Sequence, residues 1–158
     1  VKRTTFWVGT IALLGGVWGV SLCLPQFRIQ VWDTGQSGYL YFWGGQEKFQ
    51  ATVSAWVYAI AAAWAMAGVA SLIRAAWLLK KGQRAAVAWL NWAAFFLAMQ
   101  LTFLLIAAEE VLTDLRVAGL HADSFAQAGS WAPFVVFLIL LFLPGRLKKA
   151  LFTLSKSA

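Results

Sequence analysis

Residues 51–73 read ATVSAWVYAIAAAWAMAGVASLI. These 23 residues carry no charge. At about 1.5 Å per residue, a helix of that length crosses the roughly 30 Å hydrocarbon core of a bilayer. Its small residues are ordered: Ala51, Ala55, Ala59, Ala63, Ala67 and Ser71 recur every four positions, and Ala75 continues the series. Positions four apart stack on one ridge of a helix. Small side chains there let another helix approach closely, which is how helices associate where lipid offers no hydrophobic drive. Four residues overshoot a 3.6-residue turn, so the ridge drifts by about 40° per step and serves two neighbours in succession. The competing reading is that alanine is simply abundant. On either reading this helix is expected at the centre of a bundle.

Composition supports the same class along the whole chain. Of 158 residues, 61% are hydrophobic and 12% charged, against roughly 25% charged in soluble domains. One four-span membrane domain over 1–158 is expected, with helices at about 4–24, 50–79, 85–118 and 130–143 and an interfacial tail at 146–156. Cys23 is the one cysteine, so no intrachain disulfide forms, and Asn91, the one asparagine, heads no glycosylation sequon.

Lys2 and Arg3 precede an uncharged run from Thr4 to Leu24. The run is long for a signal-peptide core and no small-x-small cleavage site closes it, so it reads as the first membrane helix. Gly15, Gly19 and Cys23 form a small ridge in it, and Pro25 closes it. In the loop that follows, Phe27, Ile29 and Val31 alternate with Arg28, Gln30 and Trp32, and a turn at 33–38 leads into the aromatic run Tyr39–Trp43. That pattern predicts a β-hairpin on the membrane surface. The alternative is an aromatic loop resting in the headgroup layer. Lys80 to Arg84 make a basic turn around Gly82. The third helix continues past its uncharged core, with Gly119 as its C-terminal cap. The Phe-, Leu- and Val-rich fourth helix has few small residues. It is expected to end at Pro144-Gly145 and to be the most lipid-exposed.

Four spans place both termini and the middle turn on one side. That side holds Lys2, Arg3, Arg74, Lys80, Lys81, Arg84, Arg146, Lys148, Lys149 and Lys156 and no acid; the other holds Arg28, Lys48 and Arg116 with all six acids. The positive-inside rule makes the basic face cytoplasmic, or the matrix side in a mitochondrion. The net charge of +7 is therefore a signature of topology and of anionic headgroups at Lys80, Lys81, Arg84, Arg146, Lys148 and Lys149, and not of nucleic acid.

Glu109, Glu110, Asp114, His121 and Asp123 are the one cluster with chemistry to offer. A divalent-cation site there competes with an acidic, solvated continuation of the third helix, and the second reading is favoured. His121 is the single histidine, which removes bis-histidine haem ligation and the paired Glu-x-x-His pattern of di-iron bundles. No acid or lysine lies near a span midpoint, where an ion-coupled transporter normally needs one. No catalytic residue, cofactor or metal is expected. Gln100 and Asn91 read as interhelical hydrogen-bonding groups. Trp7, Trp43, Trp77, Trp89 and Trp131 read as belt anchors, and Trp18, Trp56 and Trp64 as deeper fillers or partner contacts.

Leu24-Pro25-Gln26-Phe27-Arg28, Phe42-Trp43-Gly44 and Gln50-Ala51 resemble, in order, the Leu-Pro-Gln-Trp-Arg entry to the first loop (with Phe27 in place of tryptophan), the Gly-Leu-Trp or Leu-Trp-Gly segment and the Gln-Ala opening of the second helix in the claudin and peripheral-myelin-protein tetraspans, a group that includes the amastins. The resemblance implies a four-helix bundle with a β-structured first extracellular loop. The chain departs from the group in lacking its paired loop cysteines.

Two function classes follow. The first is a non-catalytic structural or auxiliary subunit that packs against other integral membrane proteins and lipid. Its helix-packing positions would be Gly15, Gly19, Ala55, Ala59, Ala63, Ala67 and Ser71, and its partner contacts Phe27, Trp32, Tyr39, Tyr41 and Trp43. A mitochondrial or bacterial inner membrane is favoured over a plasma membrane. The second is a small membrane enzyme or carrier acting on a lipid-like substrate, with Arg28, Tyr39, Tyr41 and Glu109 lining its site.

Overall fold

The computed structural model describes residues 2–42 and 54–152. Four helices, α1 (Lys2–Ser21), α2 (Ala55–Lys80), α3 (Ala86–Val117) and α4 (Ala128–Phe152), are joined with three strands, β1 (Pro25–Val31), β2 (Ser37–Tyr41) and β3 (Ala122–Ala126). All four helices are long and apolar enough to cross a membrane. Each packs on two others in the cyclic order α1, α2, α3, α4. The second helix is thus one wall of the bundle and not its hub, and it packs most extensively on α3.

Helix ends follow local chemistry. After α2, Gly82 takes a left-handed φ of 68°, its N–H bonds to Leu79 O, and Gln83 N–H bonds back to Leu78 O. After α3, Gly119 has φ 79°, with Gly119 N–H on Arg116 O and Leu120 N–H on Leu115 O. Both are Schellman closures, in which glycine supplies the left-handed residue without a Cβ penalty. The first helix stops at Ser21, short of the expected Leu24, because Leu22, Cys23 and Leu24 donate to carbonyls three residues back and tighten into a turn. The expected start of α2 at residue 50 lies outside the described residues.

The fourth helix differs most from its sequence reading. It continues through Pro144 and Gly145 to Phe152, so Arg146 and the lysines after it belong to its last turns and form no separate tail as far as residue 152. A proline removes one helical N–H and crowds the preceding turn. Val136, Leu140, Leu143 and Leu147 nevertheless form one stripe at helical spacing, all buried in one core cluster. Burial of Leu143 and Leu147 on either side of Pro144 holds the helix together across it. This burial also corrects the expectation that α4 is the most exposed helix: 39% of its apolar window is buried, as for α3, against 22% for α1.

The first loop forms the expected hairpin, with Phe27 paired to Leu40, Arg28 to Tyr39 and Ile29 to Gly38. The sheet has a third member that the sequence did not signal. β3, from the loop between α3 and α4, pairs antiparallel with the other edge of β1, in the order β2-β1-β3. Its sequence ADSFA holds no β-branched residue, so its strand character comes from the free edge of β1.

Two core clusters result. In one, all four helices converge, through residues such as Ile11, Leu14, Leu72, Leu90, Leu97 and Leu140. In the other, α2 and α3 face the sheet, and Phe27, Ile29, Val31, Leu40 and Phe42 fill the space over Ala61, Ala65, Ala107 and Ala108.

Candidate functional site

A polar seam crosses the bundle where the two cores meet. Trp18 is fully buried, and its indole N–H donates to Oε1 of the equally buried Gln100 across the bundle at 2.7 Å. Gln100 therefore bonds between helices, as expected. Asn91 does not; it is exposed. The Trp18 ring lies directly over Gly68 of α2, where an added Cβ would collide with it. Glycine is needed here for space and not for conformation.

At the end of α1, a β-bulge between Pro25 and Phe27 leaves Gln26 opposite no residue of β2. A bulge re-aims the side chain of its extra residue, and Gln26 is completely buried. Its Nε2 donates to Ser21 O at 2.8 Å and Leu24 O at 3.0 Å, while its own carbonyl accepts from Ser130 Oγ and from Gln127 N–H. One residue thus fastens the end of α1, the central strand and the first turn of α4. Gly129 sits so close that a Cβ there would strike Pro25 O and the Gln26 amide.

The helix-packing positions read from the sequence are distributed differently in space. Ser71 and Ala75 are buried and Ala67 is half-buried, but Ala55, Ala59 and Ala63 are exposed. The drift of the ridge carries its first three described alanines out of the bundle. The buried stripe of α2 is Val57, Ala61, Ala65, Gly68, Ser71, Leu72 and Ala75. In α1, Gly15 stands against Leu72, but nothing approaches Gly19. The close helix contact is at Gly68, and the Gly15/Gly19 pair does not make it.

Of the proposed partner contacts, Phe27 is buried in the sheet-side core and is not available to a partner. The alternation places its neighbours on the other face. Tyr39, Arg28 and Phe125 form a row across β2, β1 and β3 on the outer surface, with Tyr39, Phe125 and Trp32 exposed and Tyr41 half-buried. Trp43 lies outside the described residues. Trp32 Nε1 donates to Asp123 at 2.8 Å. Asp33, in the β1–β2 turn, accepts from the His121 backbone N–H and faces the His121 ring at 3.2 Å. The backbone N–H of His121, and next its ring, hold the Asp33 carboxyl below the usual carboxylate value.

The acidic cluster is divided among separate partners. Glu110 accepts the Ser54 backbone N–H at 2.9 Å, immediately before α2 begins. A carboxylate there complements the positive end of the helix. Glu109 pairs with Arg116 at 2.9 Å on the exposed face of α3. Among the described residues no group of three potential ligands could hold a metal ion. Arg28 donates to Gln30 Oε1 on the sheet face, while Glu109 lines a groove with Ser54, Glu110 and Asp114.

An aromatic array on α2 and α3 went unread in the sequence. Trp64 stacks on Phe96 at 5.6 Å, Phe96 stacks on Trp92 at 5.7 Å, and Phe95 meets both tryptophans edge-on. Trp92 and Phe95 are exposed. The spacing of Trp92, Phe95 and Phe96, three and four apart, is its visible signal. Trp56 is 53% exposed, so it does not fill the bundle interior, and it meets Phe103 edge-on.

No protein-family model matches the chain, and comparison with curated proteins finds no significant relative.

Proposed function

We propose that the protein is an integral four-span membrane protein that acts as a structural or auxiliary subunit, packing against other membrane proteins in a larger assembly. The observation that carries this reading is the outward turn of Ala55, Ala59 and Ala63 on α2. Such a ridge lets a foreign helix come close, and the chain leaves it unused. The exposed aromatic array on α3 and the Tyr39, Arg28 and Phe125 row on the sheet extend the surface offered to partners. The fold proposed is claudin-like, supported by the first-loop hairpin.

Tagged protein extracted in mild detergent is expected to migrate in a stoichiometric complex on native gels, with its partners named by mass spectrometry. Replacing Ala59 and Ala63 by leucine should release it from that complex while leaving its own thermal unfolding unchanged. A lone monomer or homo-oligomer would sink the subunit reading.

The charge distribution supports placing both termini on the cytoplasmic or matrix side. Cys23 tests this directly, because it is exposed and just past the end of α1. A membrane-impermeant maleimide should label it from the face opposite the termini only.

A further inference from the structure

Between α1 and α2 runs an apolar groove of about 510 Å³, lined by Val8, Ile11 and Gly15 on one wall and Val69, Ile73 and Trp77 on the other, with Lys80 at its end. Its floor includes Leu72, against which Gly15 stands. From Val69 to Lys80 the helix rises about 16 Å. That is half of the roughly 30 Å hydrocarbon core, the depth of one leaflet. The groove therefore starts near mid-membrane and opens at the basic end of the bundle.

The chemistry of that end is one-sided. The Arg74 guanidinium lies 4.4 Å and the Lys81 ammonium 3.7 Å from the Trp77 ring centroid, which holds both cations beside the groove mouth. Lys80 is exposed, and its side chain has no hydrogen-bond or ion-pair partner among the described residues. Every acid among them lies toward the sheet: Asp33, Glu109, Glu110, Asp114 and Asp123. A leaflet-deep apolar channel that ends at three cations matches an acyl chain joined to an anionic head.

We propose that the α1–α2 groove holds one acyl chain of an anionic phospholipid from the leaflet at the termini, with the lipid phosphate at Lys80 beside Arg74 and Lys81. This rests on the membrane-spanning reading and not on the subunit reading.

The test is native mass spectrometry of the full chain released from nanodiscs of mixed phosphatidylglycerol and phosphatidylcholine. One phosphatidylglycerol should be retained in preference to phosphatidylcholine. Lys80→Gln should weaken that retention about fivefold, the contribution of one lysine near an anionic surface. Ala12→Phe, at another lining position, should block the groove and abolish retention of either lipid. Arg146→Gln, on the same basic end but outside the groove, should change nothing. Equal retention of both lipids overturns the proposal, as does an equal effect of Arg146→Gln. A dimer or a foreign helix displaced by Ala12→Phe would overturn it in favour of a protein occupant. Carbonate extraction separates the two layers of argument. Protein that washes off the membrane sinks the spanning reading and the lipid site together, whereas protein that stays but retains no phosphatidylglycerol sinks the lipid site alone.

Discussion

The half of the bundle that holds the chain ends and the half that carries the sheet are built differently. In the first, four helices meet one another through Leu, Ile and Trp side chains. In the second, only α2 and α3 contribute helical core, and the remaining space belongs to Phe27, Ile29 and Leu40 of the sheet and to Phe42 just beyond β2. Helix length is the reason. The α3 helix has 32 residues and α1 only 20. At about 1.5 Å per residue, α3 outruns α1 by roughly 18 Å, and something else must cover its buried stripe through Leu104, Ala107, Val111 and Leu115. The sheet is thus part of the core and not a decoration of the helix bundle.

That comparison can be broken most decisively by removing one large side chain from each half. Trp18→Ala and Phe27→Ala are each expected to destabilise by about 3–5 kcal/mol, followed by circular dichroism on heating in detergent. Both should lower the same helical transition. If Phe27→Ala leaves the helix melt in place, the sheet folds apart from the bundle and the two-core account fails.

Next in size are the glycines at the seam. Gly68→Val and Gly129→Ala should each cost about 1–3 kcal/mol, because an added Cβ would lie 1.9 Å from the Trp18 ring in the one case and 2.5 Å from the Pro25 carbonyl oxygen in the other. Gly19→Ala should instead hold or raise stability, by up to about 1 kcal/mol, since it meets open space and gains helix propensity. The opposite order would restore the Gly15/Gly19 pair as the packing site.

Glu110→Ala removes the acceptor at the head of α2 and should cost about 1 kcal/mol. Hydrogen exchange should quicken at Ser54 and in the first turn of α2, with the distant four-helix core unaffected.

The smallest effect is a pH dependence confined to the sheet end. Because the folded-state value of Asp33 is depressed below the ordinary 3.8, the contact with His121 contributes fully above that ordinary value and is lost as pH falls through the lowered one. Exchange of the His121 amide should therefore accelerate only in that acidic window, and Asp33→Asn should make it fast at neutral pH.

Much of this was written in the chain. Uncharged runs marked four apolar helices, Gly82 and Gly119 marked two of their ends, and the alternation from Phe27 to Trp32 marked the hairpin. The small-residue ridge is visible as a period of four, but only its later members, Ser71 and Ala75, are buried within this chain, while Ala55, Ala59 and Ala63 face outward. A period of four identifies neighbours along one helix and says nothing about which neighbour lies across from them. Pro144 gave a stop signal that the burial of Leu143 and Leu147 overrode. β3 has no sequence signature of its own, because it is a strand only by virtue of the edge it meets.

Local patterns alone determined the number and apolarity of the helices and the asymmetry of charge between the two ends. Those properties depend on hydrophobicity, backbone conformation and charge, which each residue carries with it. Tertiary structure decided which face of α2 is buried, that Gln26 turns inward to join three elements, that Gly68 makes room for Trp18, and that Glu110 serves a helix other than its own. Each of these depends on a distance between residues far apart in the chain, and that distance exists only once the helices have packed.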